Sequence, residues 1–375
     1  MPRRLSLIAS LALLPALAAC GGTAPEAIEP PLGKEALAAV TDTPGAPREQ
    51  LARAVDSVFT EEGLGETRAV IVMHAGKIAA ERYSEGFGPD TRFLGWSMAK
   101  SVTAVAIGIL VAEGKLRLDE SPPITHWQRP GDPRGEITLR QLLQMRSGLR
   151  HTETSDPPYK ADTVRLLFLD GRDDMAREAE AQPLEAEPGQ QFEYSTANSL
   201  ILADIMARVL SPSRNPAARQ AAVDHFLQDR LFGPLALDSM TAEYDAAGTM
   251  IGGAMIHATA RDWARFGEFL RHGGSVKGAQ IVPRGWIAFM RRPSPRASDY
   301  GAGLWLNRAS GSERRVLFPD QGPSSLFGMA GHFGQYVLVS PSQKLTIVRL
   351  GRTGEEERPA LVAALARIAA LYPES

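Results

Sequence analysis

The sequence is poor in the residues on which several classes of protein depend. Its 375 residues include one cysteine, Cys20, which excludes an intrachain disulfide framework and a cysteine-based zinc cluster. The net charge of −2 lacks the basic excess of nucleic-acid-binding proteins. The seven histidines are scattered without a His-Glu-x-x-His motif, and Walker and dinucleotide-binding glycine loops are absent. We therefore expect no nucleic-acid partner, no metal and no organic cofactor.

The N-terminus has the pattern of a targeting segment. Arg3 and Arg4 precede an uncharged run, Leu5–Ala19, that is too short for a comfortable membrane span. The sequence Leu-Ala-Ala-Cys-Gly at residues 17–21 resembles a bacterial lipoprotein cleavage box. That resemblance implies a signal peptide (1–19), a lipid anchor on Cys20 and a place in the bacterial cell envelope. Gly rather than Asp after the cysteine favours the periplasmic face of the outer membrane in a diderm bacterium. The alternative is an ordinary cleavage site with an incidental cysteine.

The rest of the chain divides into a tether and one domain. Residues 20–48 contain five prolines among small and polar residues and predict a tether, which leaves residues 49–375 as the domain. Strand signals near both chain ends bracket a middle of helical patterns. The expected strands are Arg68–Met73, Lys77–Tyr83, Gly301–Asn307, Ser325–Ala330, Gln335–Ser340 and Lys344–Leu350. Because these strands must share a sheet to bury their apolar faces, we expect an α/β (α+β) fold. Its antiparallel sheet would be built from both chain ends and flanked by helices, with a mostly helical region inserted.

A serine and a lysine three residues apart open the most apolar helix that the sequence predicts. Ser97 and Lys100 would lie on one helical face, close enough to exchange a proton. The run Val102–Leu110 is almost wholly apolar, and burial beside it would lower the pKa of Lys100 below its free value of about 10.4. Free N–H groups at the helix start would stabilise negative charge near Ser97. The pair is thus a candidate nucleophile and base, and the alternative is a serine N-cap with a surface lysine.

Residues 97–101, Ser-Met-Ala-Lys-Ser, resemble the active-site motif of the serine β-lactamase and penicillin-binding-protein superfamily. The likeness is closest to the branch of class C β-lactamases, family VIII esterases and aminohexanoate-dimer (nylon-oligomer) hydrolases. Residues 113–119, 137–149 and 187–195 agree with that branch in order and spacing. The resemblance implies a β-lactamase/transpeptidase-like fold and hydrolysis of a small-molecule substrate through an acyl-enzyme.

The resemblance also assigns a role to Tyr194. In the family, a tyrosine of the second motif faces the serine and shares its proton transfers. A buried ammonium nearby would lower the pKa of this phenol. Class C β-lactamases have Tyr-x-Asn here, whereas this chain has Thr196 at the third position and Asn198 two residues later, as in the nylon-oligomer hydrolase pattern. Asn198 is therefore a candidate pocket residue, with a helix cap as the alternative.

The third motif of the family, Lys-Thr-Gly, is the point where this chain departs. Met329-Ala330-Gly331 takes its place in the alignment that also puts Gly334 in register. The N–H of His332 would then join that of Ser97 as an oxyanion hole. A shift by one motif would move the donor to Gln335. In either alignment the lysine that binds a penicillin carboxylate is lost, so an ester or amide ranks above a β-lactam as substrate.

The expected function is a serine hydrolase of ester or amide bonds in small substrates. Trp305, Gly331 and Phe333 are further candidate pocket residues, although large aromatic side chains more often belong to the core. One alternative is a β-lactamase or D-Ala-D-Ala carboxypeptidase, and another is a catalytically silent, lipid-anchored binding module on the same fold. An α/β-hydrolase is disfavoured because Gly95–Ala99 lacks the second glycine of the Gly-x-Ser-x-Gly elbow. The sequence leaves the oligomeric state open.

Overall fold

Strands from both ends of the chain meet in one antiparallel sheet. The computed structural model describes residues 31–374, so the expected signal peptide and Cys20 lie outside the described residues. The strands are β1 (Glu66–His74), β2 (Lys77–Tyr83), β3 (Arg92–Leu94), β4 (Thr241–Ala242), β5 (Ile256–Thr259), β6 (Ser275–Val276), β7 (Ala279–Gln280), β8 (Trp305–Leu306), β9 (Phe327–Gly331), β10 (Gln335–Ser340) and β11 (Leu345–Arg352). The main sheet has the order β2-β1-β11-β10-β9-β8, and β3, β5 and β4 form a small second sheet. The first and last long strands pair directly, so strands from the two chain ends share one sheet, as expected.

Helices occupy the middle of the chain and cover the sheet. They are α1 (Lys34–Ala38), α2 (Arg48–Thr60), α3 (Ala99–Ala112), α4 (Leu139–Leu143), α5 (Asp162–Phe168), α6 (Met175–Glu180), α7 (Thr196–Leu210), α8 (Pro216–Leu227), α9 (Ala260–Arg271), α10 (Arg284–Met290) and α11 (Arg358–Ala370). None of the helices within residues 31–374 is both long and apolar enough to cross a membrane. The expected fold class, an antiparallel sheet with flanking helices and a helical insertion, is confirmed.

Both faces of the main sheet are buried. Along β1, Ala69 and Ile71 belong to one hydrophobic core and the alternating Val70 and Val72 to the other. Helices α2 and α11 cover one face, and α9 together with the helical middle covers the other. Successive side chains of a strand point to opposite faces, so a strand that is buried on both faces is a continuous apolar run. This is why residues 69–73 contain no polar residue.

Helix α3 crosses the interior, as its composition predicts. Every residue from Ala99 to Leu110 is buried, and α3 packs against α7. A helix that is apolar all round is stable only when other elements surround it. The expected helix from Ser97 begins instead with a short 3₁₀ turn, Trp96–Met98, and becomes α-helical at Ala99.

Two expected boundaries differ from the structure. Only Trp305–Leu306 of the expected strand Gly301–Asn307 pairs in the sheet. Gly303 has φ +75°, and a Cβ there would lie 3.0 Å from the carbonyl oxygen of Lys100. The carbonyl of Gly303 also accepts a hydrogen bond from the Ser101 hydroxyl. The segment around Gly303 therefore packs against α3 instead of extending the strand.

The expected tether ends earlier than residue 48. From Leu32 onward the chain forms one compact unit, which begins with α1. Val40 is buried and forms a bridge with Ala80 at the edge of β2. The guanidinium of Arg48 donates to the carbonyls of Leu37 and Val40 at 2.8 and 3.2 Å. Apolar residues between the prolines thus anchor this segment to the sheet edge.

Candidate active site

Ser97 lies in the tight turn that joins β3 to α3. Trp96, the residue before it, has φ +49°, a left-handed conformation that non-glycine residues adopt only when the surroundings hold them there. Gly95 fixes the entry to this turn, since its N–H donates to the Ile256 carbonyl at 2.8 Å. A Cβ at Gly95 would lie 2.3 Å from the Trp263 ring, so only glycine fits. The backbone of this turn is strained at Trp96, and the contacts of Gly95 hold it, and with it the Ser97 hydroxyl, in place.

Lys100 is buried one turn further along and all three of its N–H donors are used. Its Nζ lies 3.0 Å from Ser97 Oγ, 2.8 Å from Thr196 Oγ1 and 2.9 Å from the Gly253 carbonyl. Burial lowers the pKa of Lys100 to about 8, although Glu153 acts in the opposite direction. The expected Ser97–Lys100 contact is therefore present, and an appreciable fraction of Lys100 is neutral in mildly alkaline solution.

Tyr194 is the third member of this group, although it lies 94 residues after Lys100 in the chain. Its ring centroid lies 4.9 Å from Lys100 Nζ, and the Ser97 side chain acts to lower the pKa of its phenol. The expectation of a lowered pKa is wrong. Burial raises the pKa of Tyr194 well above its usual range, and Tyr300 and Glu153 add to this effect. Burial dominates this shift, so at neutral pH the phenol keeps its proton.

Glu153 is a fourth member of the site that the sequence did not reveal. Its Oε1 lies 4.0 Å from Lys100 Nζ and accepts the Thr196 hydroxyl at 2.7 Å. Its Oε2 accepts the Thr196 N–H at 2.7 Å, the Thr163 hydroxyl at 2.8 Å and His151 Nε2 at 2.8 Å. Burial would raise the pKa of Glu153, but Lys100 and the hydrogen bonds outweigh it and lower the pKa to about 2. Glu153 is therefore an anion facing the lysine.

Thr196 contacts the catalytic candidates, whereas Asn198 contacts the segment around Ser147. The Thr196 hydroxyl accepts from Lys100 and donates to Glu153, so it bridges the cation and the anion. Asn198 is buried and faces away, since its Oδ1 accepts from the Ser147 hydroxyl at 2.9 Å. The cap of α7 is Ser195, whose hydroxyl accepts the Asn198 N–H at 3.2 Å. The structure thus places Asn198 as a tie between α7 and the Ser147 segment.

The end of β9 runs against the nucleophile turn. A Cβ at Gly331 would lie 2.3 Å from the carbonyl oxygen of Gly95, so the two backbones touch and only glycine fits. His332 follows directly and opens a short turn, His332–Gly334, in which Phe333 has φ +59°. This close approach favours the alignment of Met329-Ala330-Gly331 with the third family motif. It makes the N–H of His332 the candidate second donor beside that of Ser97.

Aromatic side chains adjoin the site in two groups. The ring of Trp96 meets His332 edge-on at 5.3 Å and Phe333 at 6.1 Å. The ring of Tyr194 lies 5.2 Å from Trp305 and 5.8 Å from Tyr300. The predicted pocket residues Trp305, Gly331 and Phe333 therefore all lie beside the catalytic candidates. Within residues 31–374, no group of three or more His, Cys, Asp or Glu side chains is placed to hold a metal ion.

Comparison with known proteins agrees with this geometry. The family model described as Beta-lactamase matches residues 59–371. The chain belongs to the beta-lactamase family. It is 28% identical to the 6-aminohexanoate-dimer hydrolase of Paenarthrobacter ureafaciens over 323 residues, which cover 82% of this chain and 79% of that protein. The family expected from residues 97–101 is confirmed.

Solved structures of other proteins share the fold. A family VIII carboxylesterase superposes with a TM-score of 0.59 at 16% identity, covering 88% of this chain and 98% of that one. A penicillin-binding-protein homologue from Caulobacter crescentus has a TM-score of 0.59 at 18% identity, covering 85% and 97%. At these identities the likeness establishes the fold. The chain is thus a beta-lactamase-family hydrolase that is similar in sequence to a 6-aminohexanoate-dimer hydrolase and shares its fold with a family VIII carboxylesterase.

Proposed function

We propose that this protein is a serine hydrolase that cleaves ester or amide bonds of small substrates through an acyl-enzyme. The observation that carries the proposal is the double contact of Ser97. Its hydroxyl lies 3.0 Å from Lys100 Nζ, and its side chain also interacts with Tyr194, whose pKa it acts to lower. A nucleophile within hydrogen-bond reach of a base and of a second proton carrier is the arrangement that covalent catalysis requires.

In the acylation step, neutral Lys100 takes the proton of Ser97 as Oγ attacks the substrate carbonyl. The N–H groups of Ser97 and His332 hold the negative oxygen of the tetrahedral intermediate. The intermediate collapses when the leaving group receives a proton from Tyr194, which regains one from Lys100. Because Tyr194 holds its proton at neutral pH, it acts as a proton carrier between Lys100 and the leaving group, and Lys100 is the base.

Deacylation reverses these roles. Water attacks the acyl carbonyl while Lys100, directly or through Tyr194, accepts the water proton. The second tetrahedral intermediate is held by the same two N–H groups. Its collapse returns a proton to Ser97 and releases the carboxylic acid. No proton is left on the enzyme at the end of the cycle.

The residues at the position of the third family motif indicate the substrate class. Met329 stands where penicillin-recognising enzymes have a lysine, and its side chain is buried. A carboxylate-bearing β-lactam therefore lacks a cationic partner there, whereas an ester or amide carbonyl needs only the oxyanion hole. The names of two similar proteins, a 6-aminohexanoate-dimer hydrolase and a family VIII carboxylesterase, support amide and ester bonds as targets.

Labelling with a fluorophosphonate probe tests the nucleophile, and a substrate panel tests the bond. We expect the wild type to label and Ser97→Ala not to, with Ser275→Ala as the control serine outside the site. Short-chain nitrophenyl esters and aminohexanoate dimer should be cleaved faster than a chromogenic cephalosporin. A wild type that neither labels nor hydrolyses any substrate would favour the silent binding module. Cephalosporin turnover well above ester turnover would favour the β-lactamase alternative.

We also propose that the chain is a lipoprotein of the bacterial cell envelope, anchored through Cys20. The support is the sequence of residues 17–21 and the lone cysteine at its lipidation position. Metabolic labelling of the full chain with an alkyne fatty acid should modify the wild type and not Cys20→Ala. Recovery of both the wild type and the Cys20→Ala variant in the soluble fraction would contradict the anchor.

A further inference from the structure

Arg349, on β11, is a fully buried cation without an acidic hydrogen-bond partner among the described residues. Its five N–H donors reach five neutral acceptors. These are Thr67 Oγ1 at 3.1 Å, Phe333 O at 3.2 Å, Gly334 O at 3.0 Å, Glu66 O at 2.9 Å and Thr353 Oγ1 at 2.7 Å. Burying a guanidinium is unfavourable because the charge loses its hydration, so these five hydrogen bonds must offset that loss.

Two of these bonds hold the turn that follows the oxyanion donor. The carbonyls of Phe333 and Gly334 both accept from Nη1 of Arg349, and the Phe333 carbonyl also accepts the Thr353 N–H at 3.0 Å. Gly334 has φ +73°, and a Cβ there would lie 3.0 Å from Arg349 Nη1. Glycine therefore lets the guanidinium reach the turn.

A second buried side chain, Gln335, holds the remaining carbonyl. Its Nε2 donates to His332 O at 3.0 Å and to Gly351 O at 2.7 Å, while its Oε1 accepts the Gly351 N–H at 3.0 Å. The amide thus ties the residue that carries the oxyanion donor to β11. Together with Arg349, it engages every carbonyl of the His332–Gly334 turn from the protein interior.

We propose that Arg349 and Gln335 are positioning residues that hold the His332–Gly334 turn so that the His332 N–H stays directed at the oxyanion. The inference rests on the proposed function. Phe333 has a left-handed backbone, which is strained for a non-glycine residue and would relax if its carbonyl were released. Relaxation would rotate the peptides next to His332, and an oxyanion donor is effective only when it is held in place before the reaction.

The test compares Arg349→Lys and Gln335→Met with the wild type. An acyl-enzyme formed with a slowly hydrolysed, ¹³C-carbonyl-labelled ester is observed by infrared difference spectroscopy, because the oxyanion hole lowers the carbonyl stretching frequency. We expect both variants to raise that frequency towards the value of the free ester. We expect kcat to fall by about 10- to 100-fold with KM nearly unchanged. The pH profile should keep its shape, since Ser97, Lys100 and Tyr194 are not altered.

Arg352→Gln is the matched control. Its guanidinium lies over the same Phe333 ring at 5.4 Å but is exposed and makes none of the carbonyl contacts. We expect its carbonyl frequency and kcat to equal those of the wild type. If Arg349→Lys fails to fold, Gln335→Met decides the question, since it leaves every Arg349 contact in place. A lower kcat with an unshifted carbonyl frequency would overturn the proposal. A wild type that forms no acyl-enzyme would instead refute the proposed function, and this inference with it.

Discussion

The carboxylate of Glu153 lies 4.0 Å from the ammonium of Lys100, and the Thr196 hydroxyl bridges the two groups. Two opposing effects therefore act on the lysine. Burial lowers its pKa, and the nearby anion raises it, with a result of about 8. The anion thus sets how much neutral lysine is available to deprotonate Ser97 at a given pH.

Glu153→Gln should shift the pH dependence of turnover. Removing the negative charge removes the effect that raises the pKa of Lys100, so that pKa should fall below its value of about 8. The neutral form is the base. The acidic limb of kcat/KM, which rises with pH through the pKa of Lys100, should therefore move to lower pH in the variant. The measurement is kcat/KM for a neutral ester between about pH 5 and about pH 10, a range that brackets the Lys100 pKa of about 8.

Asp162→Asn is a suitable control for that experiment. Asp162 supports the same segment by accepting the Thr152 N–H at 2.8 Å, and it is not among the groups that shift the pKa of Lys100. The substitution removes one charge with the same geometry, so the acidic limb should stay where it is in the wild type. An unmoved limb in Glu153→Gln would show that Glu153 does not control the lysine.

Lys100→Ala should slow turnover of a small chromogenic ester without preventing folding. Loss of a general base lowers rates by about 10²- to 10⁴-fold. The exposed Lys115→Ala is the control and should retain wild-type activity. Steady-state kcat/KM and a thermal unfolding scan of each variant separate the loss of the base from loss of the fold. Near-normal turnover in Lys100→Ala would refute its role as base.

Gly331→Ala should reduce activity through a backbone clash. The new Cβ would lie 2.3 Å from the Gly95 carbonyl oxygen, so β9 and the nucleophile turn must move apart. Overpacking of this kind destabilises by about 1–3 kcal/mol. Displacing the oxyanion donor should also lower kcat by about tenfold or more. Gly285→Ala, in α10, whose Cβ would meet nothing within 4 Å, should leave kcat unchanged and should not lower the unfolding free energy.

Local signals in the sequence predicted the parts of the site that lie close together along the chain. Ser97 and Lys100 are one helical turn apart, and the apolar run that follows requires burial of α3 whatever packs around it. The strands of the chain ends were equally predictable, because runs such as residues 69–73 are stable only inside a sheet. Tyr194 required the family resemblance, since no local pattern links it to Ser97.

Contacts made by irregular segments could not be predicted in this way. Glu153 lies in a segment without helix or strand periodicity and meets Thr196 across 43 residues. In the sequence, Arg349 is an ordinary charged residue of a predicted strand. Only the structure shows that it is buried and donates to five acceptors. The pKa of Tyr194 depends mainly on how deeply its phenol is buried, which only the tertiary structure decides.

A buried carboxyl away from the site should make the stability of the protein depend on pH. Burial raises the pKa of Glu180 to about 8, and Asp204 nearby adds to this effect, although Arg208 opposes it. In the unfolded chain the same group titrates near its ordinary, much lower value. The unfolded state therefore releases its proton first, and the stability that Glu180 contributes is present at acidic pH and is lost as the pH rises through about 8. We expect the melting temperature to fall between about pH 5 and about pH 8, where only the unfolded state has released the proton, and to fall less in Glu180→Gln, which stays neutral throughout. The exposed Glu178→Gln, two residues away on α6, should follow the wild-type curve. If Glu180→Gln loses stability with pH as steeply as the wild type, then Glu180 is already ionised at neutral pH and its charge is satisfied by Arg208.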